Sequence, residues 1–140
     1  MIPNEISNIQ NEIGLLGIYH TGSSYICNPP VLDTDKDYLI LVEDFNKAYY
    51  FLQDHWIDCM PSGSNDFAEA YRDEKQYGTT WNAFRSGEIN IMVSADTEWF
   101  LASIMATERC RIMNILDKKQ RIRIFRYYKY GEPLLAGETP

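Results

Sequence analysis

The sequence predicts an α+β fold, a small mixed β-sheet with helices packed largely on one face. Three observations point to it. Apolar runs of strand length occupy residues 15–19, 38–42 and 88–94, and Ser86-Gly87 separates the last run from a further strand-like segment. Residues 45–55 and 97–115 instead repeat their apolar side chains at helical spacing. Laid in order, the elements read α-β-α-β-α-β-β-α-α, the irregular alternation of an α+β layout rather than of a βαβ repeat.

The first helix is expected over residues 3–13. Pro3 suits a first turn, and Ile6, Ile9 and Ile13 share a face. Leu15 to Tyr19 is the first strand. Gly22 frees the backbone for a tight turn, and Ser23 or Ser24 can cap a short helix that Asn28-Pro29-Pro30 ends. Residues 31–35 form an approach loop to the second strand, 37–42. Glu43-Asp44 stands at the N-cap of the helix 45–55, whose face carries Phe45, Ala48, Tyr49 and Leu52. A short strand at 56–60, a PSGSN loop at 61–65 and one or two helical turns at 67–72 follow. Strands 79–85 and 88–94 make a hairpin. Asp96 or Thr97 caps a helix to about Ile115, and Asp117 starts a last helix that Gly131 closes. Residues 1–131 form one domain, and 132–140 are a loosely ordered tail.

With 140 residues, 45% of them hydrophobic and 24% charged, the chain reads as an ordinary soluble domain with a core of its own. No apolar run approaches the roughly 20 residues of a membrane span. The N-terminus lacks the basic start and apolar centre of a signal peptide. Cys27, Cys59 and Cys110 have no metal-binding spacing and read as reduced thiols of a cytoplasmic protein. Charge is unevenly spread. The first 108 residues carry 17 acids and 5 bases, whereas residues 109–129 carry 8 bases and 1 acid. Such a block fits an anionic ligand or partner, and equally a solvated helix that offsets the acidic remainder. Tyr127, Tyr128 and Tyr130 on that helix can stack on a base or simply pack.

The chemistry concentrates in residues 15–43. Asp35 and Asp37 enter the second strand two residues apart, so their side chains leave from one face. Two close carboxylates repel, which raises one pKa unless a cation lies between them, and hard divalent ions favour such oxygen ligands. Asp33, Asp35 and Asp37 mimic an EF-hand start, but Tyr38 stands where glycine is required. Neither a P-loop nor a nucleophile elbow is present, and His20 and His55 lack metal-binding spacing, so they read as structural. His20 still falls two residues before Gly22.

Gly22-Ser23, an eleven-residue spacer and Asp35-Lys36-Asp37 entering a strand resemble the signature of the DNA polymerase β-like nucleotidyltransferases. The segments Gly87-Glu88-Ile89-Asn90-Ile91, Asp96-Thr97-Glu98-Trp99-Phe100 and Leu116-Asp117-Lys118 are similar to small nucleotidyltransferase-like proteins of tailed phages. The resemblance implies a nucleotidyltransferase-like core and transfer of a nucleoside monophosphate from a nucleoside triphosphate to a hydroxyl. It assigns Mg²⁺ (or Mn²⁺) to Asp35 and Asp37, and the phosphates to Gly22, Ser23 and Ser24. Arg85 and Lys118 are further phosphate-binding candidates. The family's third acid falls at Glu88 or at Asn90. If Asn90 holds that place, an amide replaces the base and turnover is in doubt. The corresponding rival is a weak or inactive relative that binds nucleic acid or a host protein through its basic C-terminal helix. The short chain leaves little room for an acceptor domain, so a monomer with a partner, or a homodimer, is expected, in the cytoplasm of a host cell if a phage encodes it.

Overall fold

Two largely apolar strands occupy the middle of the sheet. In the computed structural model, β2 (Lys36–Val42) and β5 (Ile89–Ser94) lie parallel, with Leu39 opposite Met92. The structure describes residues 2–31, 35–60, 66–78 and 80–140. The expected PSGSN loop, most of the approach loop to β2 and Thr79 lie outside them. Antiparallel neighbours flank the central pair: β1 (Leu15–Thr21) beside β2, and β4 (Asn82–Ser86) beside β5 across the Gly87 turn. A two-residue β3 (Ile57–Asp58) closes the order β1-β2-β5-β4-β3. The fold class is therefore the predicted one, α+β with a small mixed sheet.

The helices divide between both faces of that sheet, which corrects the expectation of one covered face. Tyr38, Ile40, Val42, Ile91 and Val93 pack against α1 (Asn4–Ser7), α2 (Gln10–Ile13) and α4 (Phe45–His55). The alternate residues Leu39, Leu41 and Met92 pack against α5 (Asp66–Glu74) and α6 (Thr97–Ile112), around Trp81 and Trp99. Residues 38–42 and 91–93 are apolar at successive positions because each strand is buried on both sides. A third cluster joins α3 (Ser23–Ile26) and α6 to α7 (Lys118–Tyr130) through Ile26, Ala106, Cys110 and Ile124. All three cysteines are buried and unbridged. Among the described residues, no helix is long and apolar enough to cross a membrane.

Local chemistry sets the helix ends. Asp44, Asp96 and Asp117 each accept a hydrogen bond from a first-turn amide, as N-caps do. The first helix breaks in two because Ile9 leaves helical geometry (φ −118°, ψ 6°), while Ile6 and Ile13 remain fully buried. α6 stops three residues before the expected Ile115. Asn114 turns into the left-handed region (φ 50°), and its amide exchanges hydrogen bonds with the Asn28 backbone at 3.0 and 3.1 Å. Ile115 is thereby released into the third core cluster. The C-terminal residues, expected to be loosely ordered, run back along α7. Glu138 pairs with Arg123 at 2.6 Å, and Glu132 with Arg126 at 2.6 Å.

Candidate functional site

Strand register builds the site. Thr21 lies opposite Asp37, Asp37 opposite Asn90, and Asn90 opposite Arg85. These four residues form one row across four strands, on the face that α6 covers. The row closes on itself through side chains. The Asn90 amide nitrogen donates to Asp37 Oδ1 at 3.0 Å and more weakly to Asp35 Oδ2 at 3.4 Å. Arg85 pairs with Asp35 Oδ1 at 3.0 Å and also donates to the Gly87 carbonyl. Thr21 bonds Thr107 of α6 at 2.7 Å, fixing the helix over this end of the sheet. The two aspartates thus converge, as their i, i+2 spacing predicts.

The bend after β1 closes against Asp37. Gly22 has φ 76°, which favours glycine, and a Cβ built there would collide with the Asp37 carboxylate. Any side chain at this position would fill the space beside the carboxylate. Ser23 and Ser24 begin α3 directly after the bend, and the Ser24 hydroxyl bonds His20 Nε2 at 3.1 Å. His20 itself faces away from the row and stacks on Tyr38 at 4.7 Å. Burial of the ring lowers its pKa.

Asp37 is held at a raised pKa of about 6. Burial is the larger cause. The Asn90 hydrogen bond opposes it, Asp35 raises it further, and the Lys118 and Arg85 charges lower it. Carboxylate repulsion, the cause that spacing suggested, is secondary to desolvation.

Of the two candidates Glu88 and Asn90, the amide is the one that lies beside the aspartates. Asn90 is 5% exposed and sits in the row, whereas Glu88 is exposed beside the hairpin turn. Among the described residues, no three His, Cys, Asp or Glu side chains converge to hold a metal, so Glu88 does not complete a triad with the aspartates.

The chain matches no protein-family model, no curated protein and no solved structure.

The residues present fit a hard divalent cation on two further observations. Asn90 Oδ1 is buried with no hydrogen-bond partner, although its amide nitrogen is fully engaged. Two carboxylates and an amide oxygen are all oxygen donors of the kind Mg²⁺ and Mn²⁺ accept. The Lys118 charge reaches Asp37 from the start of α7, so the structure gathers Gly22, Asp35, Asp37, Asn90, Arg85 and Lys118 and leaves Glu88 outside.

The basic helix is largely committed to its own protein. Arg121 donates to the carbonyls of Ile115 and Leu116, and Arg123 and Arg126 pair with the tail. Lys129 is buried against Glu74 at 2.7 Å. Tyr130 stacks on Tyr77 at 4.3 Å and donates to the same Glu74. These contacts engage four of the eight bases of residues 109–129 and give Tyr130 a packing role. The Thr21–Thr107 bond was not legible in the sequence, since two threonines 86 residues apart carry no local signal.

Proposed function

We propose that this protein binds a nucleoside triphosphate with Mg²⁺ or Mn²⁺ at the Asp35–Asp37 row, and that Asn90 leaves it a poor catalyst of nucleotidyl transfer. The observation that carries this reading is Asn90 itself: in register with Asp37, bonded to both carboxylates and bearing an unmatched buried oxygen. Asp35 and Asp37 are the residues that would hold the cation, and the Asn90 oxygen would join them only with its amide turned over, since the nitrogen faces both carboxylates here. When bound, the cation neutralises phosphate charge. The bare Gly22 backbone and the Ser23 hydroxyl face the phosphates, and Arg85 and Lys118 offset their remaining charge. Nucleotidyl transfer also needs a proton acceptor for the attacking hydroxyl. An amide cannot act as one at pH 7, and a positioned base contributes roughly 10²–10⁴-fold to such reactions.

The resemblance to the polymerase β-like nucleotidyltransferases is consistent with this reading, because the aspartate pair and the glycine bend lie together. Binding of nucleic acid or a partner protein through α7 is the weaker alternative, since four of its cations already have acceptors.

Incubation with α-labelled nucleoside triphosphates, Mn²⁺ and RNA, DNA or protein acceptors tests the catalytic half. The wild type is expected to transfer label at background level, and Asn90→Asp to raise transfer by about 100-fold or more. Thermal denaturation with Mn²⁺ and triphosphate tests the binding half. A rapid wild-type enzyme that Asn90→Asp does not improve would refute the first, and an unmoved melting temperature the second.

A further inference from the structure

One row beyond Asp37 and Asn90, on the same face, the sheet turns apolar. Tyr19, Leu39, Met92 and Ala83 lie opposite one another there. Two residues along a strand separate the rows by about 7 Å. Above this row is a cavity of about 190 Å³, walled by Met92, Trp81 and Trp99 on one side and by Phe125 and Ile122 of α7 on the other. Lys118, Arg121 and Arg126 stand at the same cavity. Lys118 is shared with the carboxylate row, because its charge is among those that act on Asp37.

Three features define what the cavity accepts. Its surface is mostly apolar, with Trp81 and Trp99 stacked at 6.0 Å, the Lys129 ammonium 5.7 Å over the Trp99 ring, and Glu74 paired with that lysine in the lining. Its volume is below the roughly 300–1,000 Å³ of pockets that enclose a drug-sized ligand, so it suits a single ring system rather than a whole nucleotide. Trp99 is 4% exposed, and its indole N–H is buried without a hydrogen-bond partner. A buried donor of that kind is costly unless something accepts from it. A flat ring with an in-plane acceptor would satisfy it, while the Lys118 charge favours a ligand that carries negative charge nearby.

We infer that this cavity receives the nucleobase of the triphosphate, with Trp99 Nε1 donating to a ring carbonyl or ring nitrogen. The inference rests on the proposed triphosphate site and assigns the other end of the same ligand. It makes Trp99 a specificity-determining residue, since the bases differ in where they present an acceptor.

The test uses the full-length chain with Mn²⁺ and compares inorganic triphosphate with ATP, GTP, CTP and UTP. At least one nucleotide is expected to bind about 10-fold or more tightly than inorganic triphosphate, as stacking on aromatic side chains supplies. Trp99→Phe keeps the ring but removes the donor. It should weaken that nucleotide about 3- to 10-fold, the worth of one hydrogen bond, and leave inorganic triphosphate unchanged. In ¹⁵N-labelled wild type, the Trp99 indole resonance should shift with the nucleotide and not with inorganic triphosphate, which keeps the test independent of the variant's folding. Equal affinity for all five ligands, or an unmoved Trp99 resonance, would overturn the base cavity while leaving the cation–triphosphate site standing. If neither nucleotide nor inorganic triphosphate binds, the site beneath it falls and the inference with it.

Discussion

Two polar clusters lie on the same side of the sheet, and they are built in opposite ways. At the foot of α7 every charge has an acceptor or donor: Lys129 and Tyr130 share Glu74, Arg126 has Glu132, and Arg123 has Glu138. At the Asp35–Asp37 row two carboxylates share a single amide donor, burial raises the pKa of one of them to about 6, and an amide oxygen is buried with nothing to accept from. The first cluster stabilises the fold. The second is tolerated by it, which is the pattern expected where structure has been kept for a ligand.

The comparison is broken most forcefully at Glu74. Replacing it with alanine strands Lys129 in a buried position and should cost about 3–5 kcal/mol, read as a lower urea midpoint. The opposite sign is expected at Asp37. Its folded pKa of about 6 lies above the ordinary value of 3.8. The folded state therefore binds the extra proton. The resulting stability is complete below about pH 4 and is lost as pH rises through 6. Asp37→Asn should remove that loss and stabilise the protein by at most about 3 kcal/mol at pH 7, while abolishing cation binding. Urea titrations at pH 4 and pH 8 separate the cases: the wild type should lose stability across this window more steeply than the variant.

Gly22→Ala combines a positive φ with a collision at Asp37, and about 1–3 kcal/mol of destabilisation is expected, together with loss of the triphosphate-induced thermal shift. A melting temperature within a degree of wild type would show that the bend does not press on the carboxylate. The smallest effect belongs to Glu132→Gln, because the amide oxygen still accepts from Arg126 and Arg126 keeps Asp73 at 3.7 Å. Less than about 1 kcal/mol is expected, diminishing further in high salt.

How far the sequence reveals these two clusters differs for a physical reason. The row is legible because its logic is local: an i, i+2 aspartate pair, a glycine before serines, and a lone Asn90 in an apolar strand. Helix starts at Asp44, Asp96 and Asp117 are legible for the same reason, since a cap is a short-range event. The α7 cluster is not, because Glu74 and Lys129 are 55 residues apart and only tertiary packing joins them. The two-sided burial of β2 and β5 was present as apolar runs, but such runs do not say which helices cover which face. In the sequence Trp99 is only one aromatic residue at the start of a helix. Its unmatched indole N–H emerges only when its neighbours are in place.

The central claim is that the aspartate row and the glycine bend together hold a cation-bound triphosphate. Calorimetric titration of the wild type and of the Asp35→Ala/Asp37→Ala variant with inorganic triphosphate, at saturating Mn²⁺, tests it most directly. Saturable one-to-one binding by the wild type, lost in a variant that still unfolds cooperatively, is the predicted result. Absent binding in the wild type, or binding unchanged in the variant, would contradict it.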